Sequence, residues 1–161
     1  MMTKNFIDEQ EVEKIEMAVC LEHIMGDCYE YIVENIHNEG VRRQCRDYVR
    51  KARNHQNMLC HCLEQPQESD FNIDLKYSSY HLDLDNLSLI GVIDYACETA
   101  RRKSEIYKFL HRTSPFSLQP TFNMLVGQSL EAIKFLRGEM DYQNQRRQSF
   151  RPEWIPKICC S

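Results

Sequence analysis

Along four stretches of the chain, small and apolar residues recur at alternating steps of four and three. The first stripe reads Ile15, Val19, Glu22, Gly26, Tyr29, Val33 and Ile36, and the second Val41, Cys45, Tyr48, Ala52, His55, Leu59 and Cys62. The third gives Leu89, Ile93, Ala96, Ala100, Lys103, Tyr107 and Leu110. The fourth gives Leu118, Phe122, Leu125, Ser129, Ala132, Leu136 and then Glu139 or Met140. Such stepping puts side chains on one face of an α-helix and marks the buried stripe of a bundle helix. The pattern predicts helices over residues 8–37, 41–64, 87–112 and 117–145. The breaks fall at Asn38-Glu39-Gly40, Gln65-Pro66 and Thr113-Ser114-Pro115, the residue types that stop helices.

Loop length decides how these helices connect. Short turns join helix 1 to helix 2 and helix 3 to helix 4, so each pair forms an antiparallel hairpin. Residues 65–86 lack a helical period and are long enough to run the length of the bundle. A long crossover between helices 2 and 3 makes an all-α, ferritin-like four-helix bundle; a simple up-down bundle with a loose middle loop is the alternative. Tyr77, Tyr80 and the alternation from His81 to Asp85 point to a crossover that packs on the bundle. The bundle is expected over residues 1–147, followed by a tail over 148–161.

Three charged or polar residues interrupt the stripes: Glu22, His55 and Lys103. Counted from the hairpin turns at ~1.5 Å per residue, Glu22 and His55 fall level with each other. Ala100, Lys103, Ser129 and Ala132 fall in the same layer, so each helix presents a small or polar residue there. Metal and cofactor ligands are built at such positions in four-helix bundles.

At these residues the chain resembles the ferritin-like and rubrerythrin-like superfamily. Glu22 followed by Tyr29 is similar to the rubrerythrin helix 1 pattern, and Ala52-Arg53-Asn54-His55 resembles Glu-x-x-His with its glutamate replaced. The resemblance implies a centre of two iron ions held by a Glu on helices 1 and 3 and by Glu-x-x-His on helices 2 and 4. Here Ala100 stands at the helix 3 ligand position, and Ser129-Leu130-Glu131-Ala132 keeps neither helix 4 ligand. Glu22 and His55 are the metal-ligand candidates that remain, with Cys45 or water as further donors to a lone metal. Two irons need about six carboxylate or imidazole donors, and the Lys103 ammonium repels a cation. The expected centre is therefore a closed Glu22–Lys103–His55 network without metal, since buried charges persist when paired and hydrogen-bonded. In another alignment, Glu98, Glu105 and Glu139 supply the later glutamates. By helical angle Glu98 and Glu105 lie opposite the helix 3 stripe, and Glu139 lies at the rim of its own.

Composition narrows the function further. A chain of 161 residues with 42% hydrophobic and 27% charged content and a net charge of -4 is one soluble domain. The charge is of the wrong sign for a nucleic-acid partner. No signal peptide or membrane span is expected. The eight cysteines form no CxxC pair and read as reduced, small core residues of a cytoplasmic protein. Arg42, Arg43, Arg46, Arg50, Lys51 and Arg53 make a basic run on helix 2, solvated or facing an acidic partner. The tail carries Phe150, Trp154, Ile155, Cys159 and Cys160 among basic residues. It is expected to pack back on the bundle rather than to anchor at a membrane surface.

The functional expectation is a non-catalytic ferritin-like module without cofactor, acting through a protein partner or a homodimer contact between helix faces, or through a small ligand. The alternative is an iron- or manganese-dependent oxidoreductase or iron-binding protein reducing oxygen or peroxide, with Tyr29 and Tyr107 near the metal. Copper(I) storage would need more inward cysteines than Cys45 and Cys62.

Overall fold

Three of the helix starts are set by side-chain caps that satisfy otherwise unpaired backbone N–H groups. Asp8 Oδ1 accepts from Glu11 N–H at 2.8 Å and the Glu11 carboxylate accepts from Asp8 N–H at 3.0 Å, a reciprocal capping box. Asn38 Oδ1 accepts from Val41 N–H and Ser88 Oγ from Gly91 N–H, each at 3.1 Å. The computed structural model describes residues 7–63 and 83–149. Among the described residues it contains four α-helices: α1 (Glu9–Asn35), α2 (Glu39–Cys62), α3 (Leu89–Thr113) and α4 (Gln119–Ser149). A short 3-10 turn, Leu84–Asn86, precedes α3.

The helix bounds fall within two residues of the periodic reading except at the end of α4, and two of the differences have a local cause. Asn38-Glu39-Gly40 is not a helix stop, because Asn38 caps α2 and Gly40 lies inside its first turn. The turn between α1 and α2 is thus only Ile36, His37 and Asn38. At the other end α4 continues past Gln145 to Ser149. No Gly or Pro interrupts that stretch before Pro152.

The four stripes form the core. Every residue named on them is buried or half-buried, with Ile15, Ile93, Tyr107, Leu110, Phe122, Leu125 and Leu136 wholly enclosed. Along α1 burial spreads beyond its stripe to Ala18, Cys20, Leu21, Ile24, Met25, Cys28 and Ile32, because this helix packs closely on both α2 and α3. Cys20, Cys28, Cys45 and Cys97 are buried in the core.

Contacts at both ends give the relative direction of the hairpins. Tyr31, near the end of α1, donates to the carbonyl of Leu87, just before α3, at 2.9 Å. Lys14, in the first half of α1, sits 5.9 Å over the Phe109 ring near the end of α3. The two helices therefore run antiparallel, and α3 starts at the end of the bundle where α1 hands over to α2. On the far side α2 and α4 stand further apart than the neighbouring pairs. Tyr48 and Phe135, with ring centroids 5.3 Å apart, span that gap.

Among the described residues no helix is long and apolar enough to cross a membrane. The packing expected of Tyr77, Tyr80 and the tail residues Phe150, Trp154, Ile155, Cys159 and Cys160 lies outside the described residues.

Gly127 and Gly138 sit on exposed positions within α4, and a Cβ on either would meet nothing within 4 Å. Glycine inside a helix costs ~0.5–1 kcal/mol relative to alanine. Gly127→Ala and Gly138→Ala should each raise unfolding stability by about that amount in urea titrations. A loss in either variant would mean that this face of α4 is not free.

Candidate functional site

Midway along the bundle the stripes of α1, α2 and α3 bring three polar side chains together around one carboxylate. Glu22 is 1% exposed. Its Oε1 accepts from Lys103 Nζ at 2.8 Å and from the Tyr107 hydroxyl at 2.5 Å. His55 Nδ1 lies 3.1 Å from the same oxygen. The other ring nitrogen of His55, Nε2, meets the side-chain Oε1 of Gln128 on α4. The network thus takes one or more residues from every helix, and the Tyr48–Phe135 contact closes the α2–α4 gap nearby.

Electrostatics make this a fixed charge pair rather than a reactive acid. Burial alone would push the Glu22 carboxyl up; the Lys103 ammonium, with the hydrogen bond and charge of His55, outweighs it and holds the group at about 2. At neutral pH Glu22 is a carboxylate whose Oε1 is already occupied, and a poor proton acceptor. Burial, with the Glu22 charge and the hydrogen bond to it behind, keeps the Tyr107 phenol well above its usual range. Tyr29 is raised in the same way, by burial first and then by neighbours that include Tyr48 and Cys45. The Cys28 and Cys45 thiols are each pushed up to about 12, chiefly by burial, so neither is a ready nucleophile.

A buried imidazole between two partners needs its protons arranged to suit both. Nδ1 faces the Glu22 carboxylate and Nε2 faces Gln128, so the ring is held from both sides. Gln128 thereby steadies the orientation of the His55 ring.

Glu22, His55 and Lys103, expected together from the stripes, are in contact. Ala132 lines the small cavity beside them, and Ala100 and Ser129 are buried. The later glutamates do not join the layer: Glu98 and Glu105 are exposed and paired with Arg101 and Lys108. Glu139, at the border of burial, accepts instead from Gln143 at 2.7 Å. His23 and His61 are exposed, and His81 lies outside the described residues. The stripe does not point to Gln128, which stands one position off it beside Ser129. Tyr107 was on the stripe, but its position alone did not show the hydroxyl reaching Glu22.

The residues present do not fit a di-iron centre. The Lys103 ammonium takes the place beside Glu22 that a cation would need. Among the described residues no group of three His, Cys, Asp or Glu side chains is arranged to hold a metal ion. The cavity bordered by Glu22, His55 and Lys103 measures about 20 Å³.

Compared with protein-family models, with curated proteins and with solved structures, the chain matches none.

Removing one partner of a buried pair leaves the other charge stranded, at a cost of about 3–5 kcal/mol, far above the ~0–1 kcal/mol of surface pairs such as Arg53–Glu30. Lys103→Met should lower the unfolding free energy by roughly that larger amount; an unchanged urea midpoint would show that Lys103 does not neutralise Glu22. Because the fold lowers Glu22 from 4.5 to about 2, its contribution is complete above pH 4.5 and is lost as the pH falls toward 2. Urea midpoints measured across that window should fall more steeply for the native sequence than for Glu22→Gln; equal slopes would contradict the assignment.

Proposed function

We propose that this chain is a ferritin-like bundle in which an internal ion pair stands where the family holds iron, and that it works as a non-catalytic binding or interaction module. The observation that carries the reading is the 2.8 Å contact between Lys103 Nζ and Glu22 Oε1. A lysine in the ligand layer supplies the positive charge that a metal would otherwise supply, and it cannot cycle electrons or activate oxygen. The raised phenols and thiols around it support the same view, since none is poised for proton or group transfer.

The direction of the helices supports the ferritin-like part of the reading. With α1 and α3 antiparallel, the chain leaves α2 at one end of the bundle and enters α3 at the other. A crossover along the bundle meets that requirement, whereas an up-down bundle would set α1 and α3 parallel. Buried thiols used as small apolar fillers suit a reducing compartment, the cytoplasm.

With the interior closed, binding falls to the helix faces. α4 exposes Met124, Leu130 and Tyr142, apolar or aromatic groups of the kind enriched at contacts between proteins. The contact would be with a protein partner or with a second copy of the chain.

One observation favours the alternative of an atypical iron or manganese site: Glu22 and His55, two metal-ligand types, lie within 3.1 Å of each other. Metal content decides between the two. Chain incubated anaerobically with iron or manganese, freed of excess and analysed by mass spectrometry should carry no stoichiometric metal. One or more ions per chain, lost in both Glu22→Ala and His55→Ala, would overturn the ion-pair reading.

A further inference from the structure

Glu22 and Tyr29 are seven positions apart on α1, two turns of the same stripe. Helical side chains lean toward the N-terminus of their helix, so the phenol of Tyr29 reaches back toward the Glu22 carboxylate. Both side chains line the same cavity of about 20 Å³, on the side where α2 and α4 stand apart. Small side chains at Ala52 and Ala132 leave the room.

Two atoms of this wall are buried and have no hydrogen-bond partner among the described residues: Glu22 Oε2 and the Tyr29 hydroxyl. The imbalance on Glu22 is pronounced. Oε1 is contacted by Lys103, Tyr107 and His55, while Oε2 of the same charged group meets no donor. An ionised oxygen left without a donor in the interior is among the costlier defects a fold can carry. A water needs roughly 10–15 Å³ of such space and at least two polar partners, and the cavity meets both requirements.

We propose that this cavity is a binding site for a single water molecule bridging Tyr29 and Glu22. The Tyr29 O–H, kept protonated by burial, donates to the water oxygen, and the water donates to Glu22 Oε2. The bridge gives the second carboxylate oxygen its donor and extends the network by two turns of α1. It also ties the network to the Tyr48 ring, which stacks on Tyr29 at 5.0 Å. The site accepts a neutral hydrogen-bonding molecule of one heavy atom. It does not depend on the chain being ferritin-like.

Tyr29→Phe tests the bridge, because it keeps the ring and its stacking on Tyr48 and deletes only the hydroxyl. Oxygen-17 magnetic relaxation dispersion on the full chain counts waters held longer than the protein tumbles. The native chain should hold one more such water than Tyr29→Phe, and the variant should unfold at lower urea concentration. An equal water count would overturn the proposal. So would a higher urea midpoint in the variant, since deleting a hydroxyl with no partner at all relieves the fold rather than weakening it.

Discussion

The attraction between Lys103 and Glu22 is the constraint around which the rest of the interior is arranged. Two opposite charges 2.8 Å apart and almost fully removed from water are tolerated only if their desolvation is offset by mutual attraction and further hydrogen bonds. Tyr107 and His55 supply those bonds to the same carboxylate, and Gln128 in turn steadies His55. The small residues Ala52 and Ala132 line the cavity beside this cluster, and Ala100 and Ser129 are buried on the other two stripes. Ala52 and Ala132 lack the bulk expected of a stripe position, and the space they leave lies beside the buried carboxylate.

Much of this is legible in the sequence. The four stripes named the core because a step of four and three can serve only one face of a helix, and that face must be covered. The level of Glu22, His55 and Lys103 followed from equal rises per residue on either side of tight turns. Gln128 escaped because it lies one position off its stripe and reaches inward only where α2 and α4 separate. Periodicity carries no information about the distance between helix axes, so that separation was not legible. Gly40 misled for a local reason: glycine commonly ends helices, but the Asn38 side chain two residues earlier had already capped the next one. The exposure of Glu98 and Glu105 and the rim position of Glu139 are all legible in the helical angle, whereas the hydrogen bond from Gln143 to Glu139 is not.

The gap between α2 and α4 organises the less regular features of the molecule. Where two helices lie close, aliphatic stripes suffice; where they stand apart, larger or polar side chains must reach across. The Tyr48–Phe135 contact and the His55–Gln128 pair do so at two levels, and between them lies the cavity shared by Glu22 and Tyr29. Polar chemistry has collected on the side of the bundle with the loosest helix contact. On the tighter side, α1 is buried around much of its circumference.

The central pair divides unequally between the two hairpins. Glu22 and His55 belong to α1 and α2, while Lys103, Tyr107 and Gln128 belong to α3 and α4, so neither hairpin can satisfy its own charge. A slip of one helical turn between the halves, ~5.4 Å, would bury an anion against aliphatic side chains on one side and a cation on the other. Aliphatic stripes alone, with their repeating steps, would tolerate such a slip at modest cost. The ion pair therefore acts as an alignment pin: the halves of the bundle can close in one vertical register, and a misregistered closure is expelled by its own stranded charges.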